Sequence, residues 1–144
     1  MRLLPAFLLF ACLLVPPMTA NAQPASERPI ALVIHGGAGV IDRDKLGAED
    51  EALIRADLAR ALDAGQAVLA QGGAAMDAAI AAVRVLEDSP RFNAGHGAVF
   101  NAKGEHELDA SVMEGHTRRA GAIAGVRTIR NPVELAHRVM EASP

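Results

Sequence analysis

Apolar positions along this chain follow three successive patterns, and each predicts a different element. Ile30 to Ile34 is a continuous apolar run with β-branched members, the pattern of a strand buried on both faces. Gly36 to Gly39 breaks it, and Asp42 to Asp50 is charged and loop-like. From Glu51 to Gln71 the spacing becomes helical: Ile54, Leu58, Ala61, Leu62, Gly65, Val68 and Leu69 fall three or four apart on one face. Gly72-Gly73 stops that helix, because glycine enters the left-handed region without a Cβ clash. A second helix carries Met76, Ala79, Ile80, Val83 and Leu86 on one face and Asp77 near its positive end, with Pro90 as its limit. A turn this short predicts two helices packed side by side.

Beyond Pro90 the helical period is lost. Ala98 to Asn101 and His106 to Met113 read as strands joined around Ala102-Lys103-Gly104. In the second of these, Leu108, Ala110 and Val112 alternate with Asp109 and Ser111, giving one apolar and one polar face. Ala120 to Val126 is a strand of small and β-branched residues suited to close approach. Asn131-Pro132-Val133-Glu134 has the signature of a helix start, with Asn as cap, Pro in the first turn and Glu134 at the capping-box position. Strand, two helices, three strands and a helix make an α+β order, with helices layered on a largely antiparallel sheet.

The N-terminal segment changes the picture of where the domain begins. Met1-Arg2 is followed by an apolar run from Leu3 to Val15, interrupted only by Pro5, then by Pro16-Pro17 and the small-residue site Ala20-Asn21-Ala22. That order matches a secretory leader over residues 1–22, and the run is too short to span a bilayer. Residues 23–29 form a polar lead-in and residues 30–144 the domain. Cys12 suggests a lipoprotein site instead, but Phe10 fits that pattern poorly. Export would place the protein in the periplasm or outside the cell, with no cysteine left after cleavage and so no disulfide to form. The formal charge of −3 becomes one unit more negative without Arg2, and aromatic residues make up 3% with no Trp or Tyr, which argues against a nucleic-acid surface.

Candidate chemistry concentrates in a few stretches. His35-Gly36-Gly37-Ala38-Gly39 is not a dinucleotide loop, since no third spaced glycine leads directly into a helix, and the Gly-Lys-Ser/Thr of a Walker loop is absent. A glycine turn ending a strand accounts for the break but not for the histidine before three glycines. His96, His106 and His116 recur every ten residues with Asp109 nearby, so a transition-metal site requires that they converge in space; solvated histidines are the alternative. Ser111 is better read as a strand residue than as a nucleophile, for want of an assigned base. The stretch from Leu86 to Gly97 begins where a helix loses its donors, and Gly95 and Gly97 permit unusual torsions. It reads as a structured loop, or as one whose carbonyls fold inward around a hard cation.

Four stretches together resemble the plant-type L-asparaginase and isoaspartyl peptidase family of N-terminal-nucleophile hydrolases. They are His35 to Gly39, Phe92-Asn93-Ala94-Gly95-His96-Gly97-Ala98-Val99-Phe100, Glu107 to Gly115, and Ala120 to Val126 followed by Arg130-Asn131-Pro132. The resemblance covers about Pro29 to Pro144 and implies an αββα sandwich, present here only in part, as most of an α subunit. It implies that carbonyls of Leu86, Glu87, Ser89, Phe92, Ala94 and His96 hold a structural sodium ion, with no other cofactor. It also implies that the loop His35, Gly36, Gly37, Ala38, Gly39 lies beside the active site and is linked to self-cleavage. The reaction would hydrolyse the side-chain amide of asparagine or a β-aspartyl dipeptide, with a β subunit from the same precursor in an (αβ)₂ assembly. The family's nucleophile is a threonine that follows glycine and is freed by self-cleavage. Thr19, Thr117 and Thr128 are the threonines of this chain, and none follows glycine. The expectation is therefore a scaffold portion that is inactive alone; a non-catalytic ligand-binding protein or a structural partner of a separate β subunit are the alternatives.

Overall fold

The computed structural model describes residues 30–37 and 46–143. Residues 1–29, where the expected leader and lead-in fall, residues 38–45, which include Ala38, Gly39 and the first part of the charged stretch, and residue 144 lie outside the described residues. The domain is mixed α+β: helix α1 (Ala48–Ala70), helix α2 (Ala75–Asp88), strand β1 (Leu108–Met113), strand β2 (Ala120–Val126) and helix α3 (Pro132–Ala142).

Helix α1 begins three residues before the expected Glu51. Glu49, Asp50 and Glu51 fill its first turn, where carboxylates meet the positive end of the helix dipole, so a charged run that reads as loop is a helix start. Its C-terminus closes as the glycine pair requires. Gly72 takes φ +78° and donates to the Leu69 carbonyl at 3.0 Å, while Gly73 donates to the Val68 carbonyl at 2.9 Å, the paired bonds of a Schellman cap.

The two helices pack side by side through small residues. Ala61 on α1 and Ala78 and Ala82 on α2 are almost fully buried. Gly65 sets the approach: a Cβ there would stand 2.9 Å from the Ala78 carbonyl oxygen and 2.5 Å from Leu32 Cδ2. The same glycine thus admits both α2 and the extended segment at 30–37. Around it, Ala61, Ala82, Leu86 and Phe92 form the core, with Ile34, Ile54, Leu58 and Val85 packed against it.

The segment at 30–37 departs from the expected strand. It pairs with no strand among the described residues, and it is not buried on both faces. Leu32 and Ile34 turn inward, whereas Ile30 and Val33 are 66% and 90% exposed. Alternation of this kind is what one docked face produces.

Strands β1 and β2 form a two-stranded antiparallel sheet, with Met113 opposite Ala120 and Leu108 opposite Val126. Its register slips between Leu108 and Ala110. There Gly125 takes φ +65° and its N–H donates to Asp109 Oδ1 at 2.7 Å, a bulge in which glycine supplies the left-handed residue. Helix α3 lies on this sheet at Gly121, where a Cβ would meet the Ala136 carbonyl oxygen at 2.2 Å. The close approach expected of β2 is therefore made to a helix.

The strand expected at Ala98 to Asn101 does not form, and β1 starts at Leu108 rather than His106. The turn is present, with Gly104 at φ +75° donating to the Asn101 carbonyl. Asn101 Oδ1, however, accepts from the N–H groups of Lys103 and Glu105 at 2.8 and 3.0 Å, so a side chain takes donors a ladder would use. An isolated two-stranded hairpin has little else to hold it.

Replacing Gly65 by Ala should lower stability by about 1–3 kcal/mol through overpacking. At an open helix position the same change stabilises by roughly 1 kcal/mol. Denaturant midpoints of the two proteins decide the sign, and a rise for the alanine variant would contradict the packing described.

Candidate functional site

The loop after α2 is built around a buried carboxylate on α1. Asp57 is 1% exposed, and a charge so placed is tolerated only with partners. Ser89 Oγ donates to Asp57 Oδ2 at 2.5 Å, and Arg91 Nη1 reaches the same oxygen at 3.2 Å. Arg60 Nη2 lies 2.6 Å from Oδ1. The Ser89 hydrogen bond, then those of Arg91 and the charges of Arg60 and Arg91, hold the Asp57 carboxyl below the ordinary aspartate range against the opposing effect of burial. Asp57 is therefore ionised at neutral pH.

Ser89 also accepts the Arg91 N–H at 3.2 Å, so one hydroxyl bridges the carboxylate and the backbone on both sides of Pro90. Its own backbone is extended, φ −86° and ψ 135°, as the residue before a proline must be. Phe92 then drops into the core. The chain returns through a 3₁₀ turn at Gly95–Gly97, where Gly97 donates to the Ala94 carbonyl at 3.1 Å.

Two glycines in this turn face carbonyl oxygens directly. A Cβ at Gly95, which has φ +51°, would stand 2.4 Å from the Glu87 carbonyl oxygen. One at Gly97 would stand 2.2 Å from that of Phe92 and 2.9 Å from that of Pro90. Of the six residues expected to offer carbonyls, Leu86, Glu87, Ser89 and Phe92 are buried, Ala94 is partly buried and His96 is exposed. The Leu86, Phe92 and Ala94 oxygens each accept one backbone N–H, which leaves a second lone pair on each. Neutral oxygen donors in a side-chain-free cradle suit a hard cation of low charge. The residues present fit such an ion.

The glycine stretch meets this loop from the other side. A Cβ at Gly36 would lie 3.1 Å from Phe92 Cε1 and 3.3 Å from Leu58 Cδ2, so Gly36 sits on the ring that anchors the loop. Gly37 takes φ +122° and donates to His35 Nδ1 at 3.2 Å. Of the five residues expected to flank an active site, His35, Gly36 and Gly37 are described; Ala38 and Gly39 are not.

The alternative histidine site does not assemble. Among the described residues, no group of three or more His, Cys, Asp or Glu side chains is arranged to hold a metal ion. His106 stacks on Phe100 with ring centroids 4.2 Å apart, and His116 lies in the β1–β2 turn beside Glu114. Ser111 is exposed on β1. A cleft of about 500 Å³ beside the loop is lined by His96, His106, Arg127 and Arg130 among others. Both arginines there are already paired, Arg127 with Glu105 and Glu107 and Arg130 with Asp88.

A second buried carboxylate joins the loop to α3. Glu87 is 3% exposed; its Oε1 accepts the Val133 N–H at 3.0 Å, while its Oε2 has no hydrogen-bond partner among the described residues. Burial first, then the neighbouring Asp88 and Glu134, push the Glu87 carboxyl up, and the Val133 N–H opposes them. Glu87 thereby takes the place of the expected capping box. The Asn131 side chain makes no cap bond and donates instead to Asp88 Oδ1 at 3.2 Å, and Glu134 pairs with Arg84 at 3.0 Å.

Asp57 and Glu87 are the functional-site groups that the sequence reading missed as side chains. Asp57 had a signal. It stands on the apolar stripe of α1 between Ile54 and Ala61, where a charge demands partners.

Helices α1 and α2, the loop after them and α3 on the two-stranded sheet define a glycine-tightened α+β domain whose loop offers backbone oxygens. The chain belongs to the asparaginase family, whose model, described as asparaginase, matches residues 28–144. It is 49% identical over 113 residues to an isoaspartyl peptidase of Salmonella typhimurium, covering 78% of this chain and 36% of the relative. The isoaspartyl peptidase of Escherichia coli is 49% identical over 113 residues, 78% and 35% of the two chains. A human isoaspartyl peptidase/L-asparaginase is 45% identical over 116 residues, 81% and 36%. The chain spans about a third of the length of these curated relatives.

With its native pKa raised, Glu87 keeps a proton at pH values where the unfolded chain has lost it. Its contribution to stability is complete below the ordinary glutamate pKa and is lost as pH rises through the native value. Glu87→Gln should flatten that part of the melting-temperature profile while keeping an acceptor for Val133. Glu87→Ala, which leaves the α3 N–H without its cap, should cost about 1–3 kcal/mol. An unchanged pH profile in the glutamine variant would contradict the assignment.

Proposed function

We propose that this chain supplies the scaffold and cation-holding loop of an isoaspartyl peptidase/L-asparaginase, an amidohydrolase acting on the asparagine side-chain amide or on β-aspartyl dipeptides. The observation that carries the reading is the unbroken family match through the whole described domain, at 49% identity to isoaspartyl peptidases. The attacking group in this reading is a threonine outside these residues, because Thr19, Thr117 and Thr128 follow Met18, His116 and Arg127 rather than glycine. Self-cleavage before that threonine frees its α-amine to act as base for its own hydroxyl. The hydroxyl attacks the side-chain carbonyl, ammonia or an amine leaves, and water releases aspartate from the β-aspartyl ester. Backbone or side-chain donors stabilise the tetrahedral oxyanion.

The loop from Leu86 to His96 does no bond-breaking in this scheme. A sodium ion bound there would offset the mutual repulsion of carbonyl dipoles turned toward it. The loop's own task is to hold Phe92, and through it Gly36 and the glycine stretch, in one position beside the reacting centre. Val33, Val99, Phe100 and Met113 are each more than half exposed, and the extended segment at 30–37 has an open edge among the described residues. Apolar faces and open edges of this kind support the reading that further strands complete an αββα sandwich, in an (αβ)₂ assembly exported by the N-terminal leader.

Residues 23–144 produced alone should hydrolyse neither asparagine nor β-aspartyl dipeptides above background, and turnover would overturn the inactive-scaffold reading. The positive test is a hybrid in which residues 30–144 replace the matched third of the Escherichia coli isoaspartyl peptidase. Self-cleavage and β-aspartyl hydrolysis by the hybrid are expected. A folded, uncleaved and inactive hybrid would contradict the proposal.

A further inference from the structure

Asp57 is not explained by the proposed reaction. It is a buried ion on the apolar stripe of α1, and its partners come from two elements. Arg60 belongs to its own helix, whereas Ser89 and Arg91 come from the loop and flank Pro90. The carboxylate therefore grips the Ser89-Pro90-Arg91 corner at both ends. Within this corner the Ser89 hydroxyl has no rotational freedom left, since it donates to Asp57 and accepts from the Arg91 N–H. The Pro90 carbonyl inside this corner and the Phe92 carbonyl just beyond it meet Gly97.

We propose that Asp57 is the positioning residue of the cation cradle: gripping Ser89 and Arg91, it fixes the directions of the loop carbonyls that receive a monovalent cation. The proposal rests on the reading of Leu86 to His96 as a cation-holding loop. Its action is geometric. Arg60 and Arg91 already neutralise the aspartate charge, so the ion is held by the oriented oxygens and not by attraction to Asp57. An asparagine at position 57 has an amide N–H₂ where one oxygen stood. It keeps the Ser89 and Arg91 bonds on its amide oxygen only by turning the N–H₂ onto the Arg60 guanidinium, and without the negative charge both bonds lose their charge assistance.

The test uses the full chain in sodium chloride or choline chloride at equal ionic strength. Sodium affinity is read from the melting-temperature shift and from the ²³Na linewidth. The wild-type chain should show both, and Asp57→Asn should weaken sodium at least tenfold, the lower end of the effect of losing an outer-shell partner. Ser89→Ala, which leaves Asp57 paired with both arginines, should weaken it comparably, and the double variant should be little worse than either single one. Met140→Ala, which loosens α3 away from the loop, should lower the melting temperature while keeping wild-type sodium affinity. If Asp57→Asn does not fold, Ser89→Ala alone carries the test. Undiminished sodium affinity in the folded position-57 or position-89 variants, with a normal wild-type response, overturns the positioning role and leaves the cradle standing. No sodium response in the wild-type chain overturns the cradle and the positioning role with it.

Discussion

A carboxylate enclosed between a helix and a loop has to be satisfied, and the satisfaction of Asp57 organises this domain. A lone ion in that position would cost several kcal/mol of lost solvation. Ser89, Arg91 and Arg60 supply hydrogen bonds and opposite charge, and two of the three come from the loop that follows α2. The result is a corner whose conformation is dictated by chemistry as much as by Pro90. Phe92 leaves that corner at an angle that takes it into the core, and the ring in turn supports Gly36.

The remaining constraints are those of close approach. Gly65 lets α2 and the extended segment reach α1, and Gly121 lets α3 reach the sheet. Gly95 and Gly97 let the returning chain lie against its own carbonyls. At each place a methyl group would intrude on backbone atoms, which cannot swing aside as a side-chain tip can. With so few aromatic side chains, the domain gains cohesion from proximity of alanine and glycine surfaces, where dispersion contacts are numerous. Glu87 shows the cost of this economy. It ties α2 to α3 with one oxygen and leaves the other buried without a partner among the described residues.

The parts that local pattern governs were readable in the sequence. The two long helices, their glycine stop and the alternation of β1 follow from periodicity within one element. The start of α1 was not, because Glu49 to Glu51 look like loop until the helix dipole is considered. The missing strand at Ala98 to Asn101 reflects Asn101, whose side chain competes for the donors that a ladder needs. The cap of α3 was unreadable for a different reason. Glu87 lies 46 positions from Val133, and only the packing of α2 against α3 brings them together. The family motifs point to the loop's backbone, and the apolar stripe of α1 singles out Asp57, whereas its pairing with Ser89 and Arg91 is evident only in three dimensions.

The central claim is that the Leu86 to Gly97 loop is held rigid from Asp57 rather than merely lying on the surface. Amide hydrogen exchange of the full chain measures this most directly. The account predicts that the Arg91, Ala94 and Gly97 amides exchange as slowly as those in the middle of α1 and α2, and that Asp57→Asn speeds the loop amides selectively. Exchange of those three amides at the rate of an unprotected loop in the wild-type chain would contradict it.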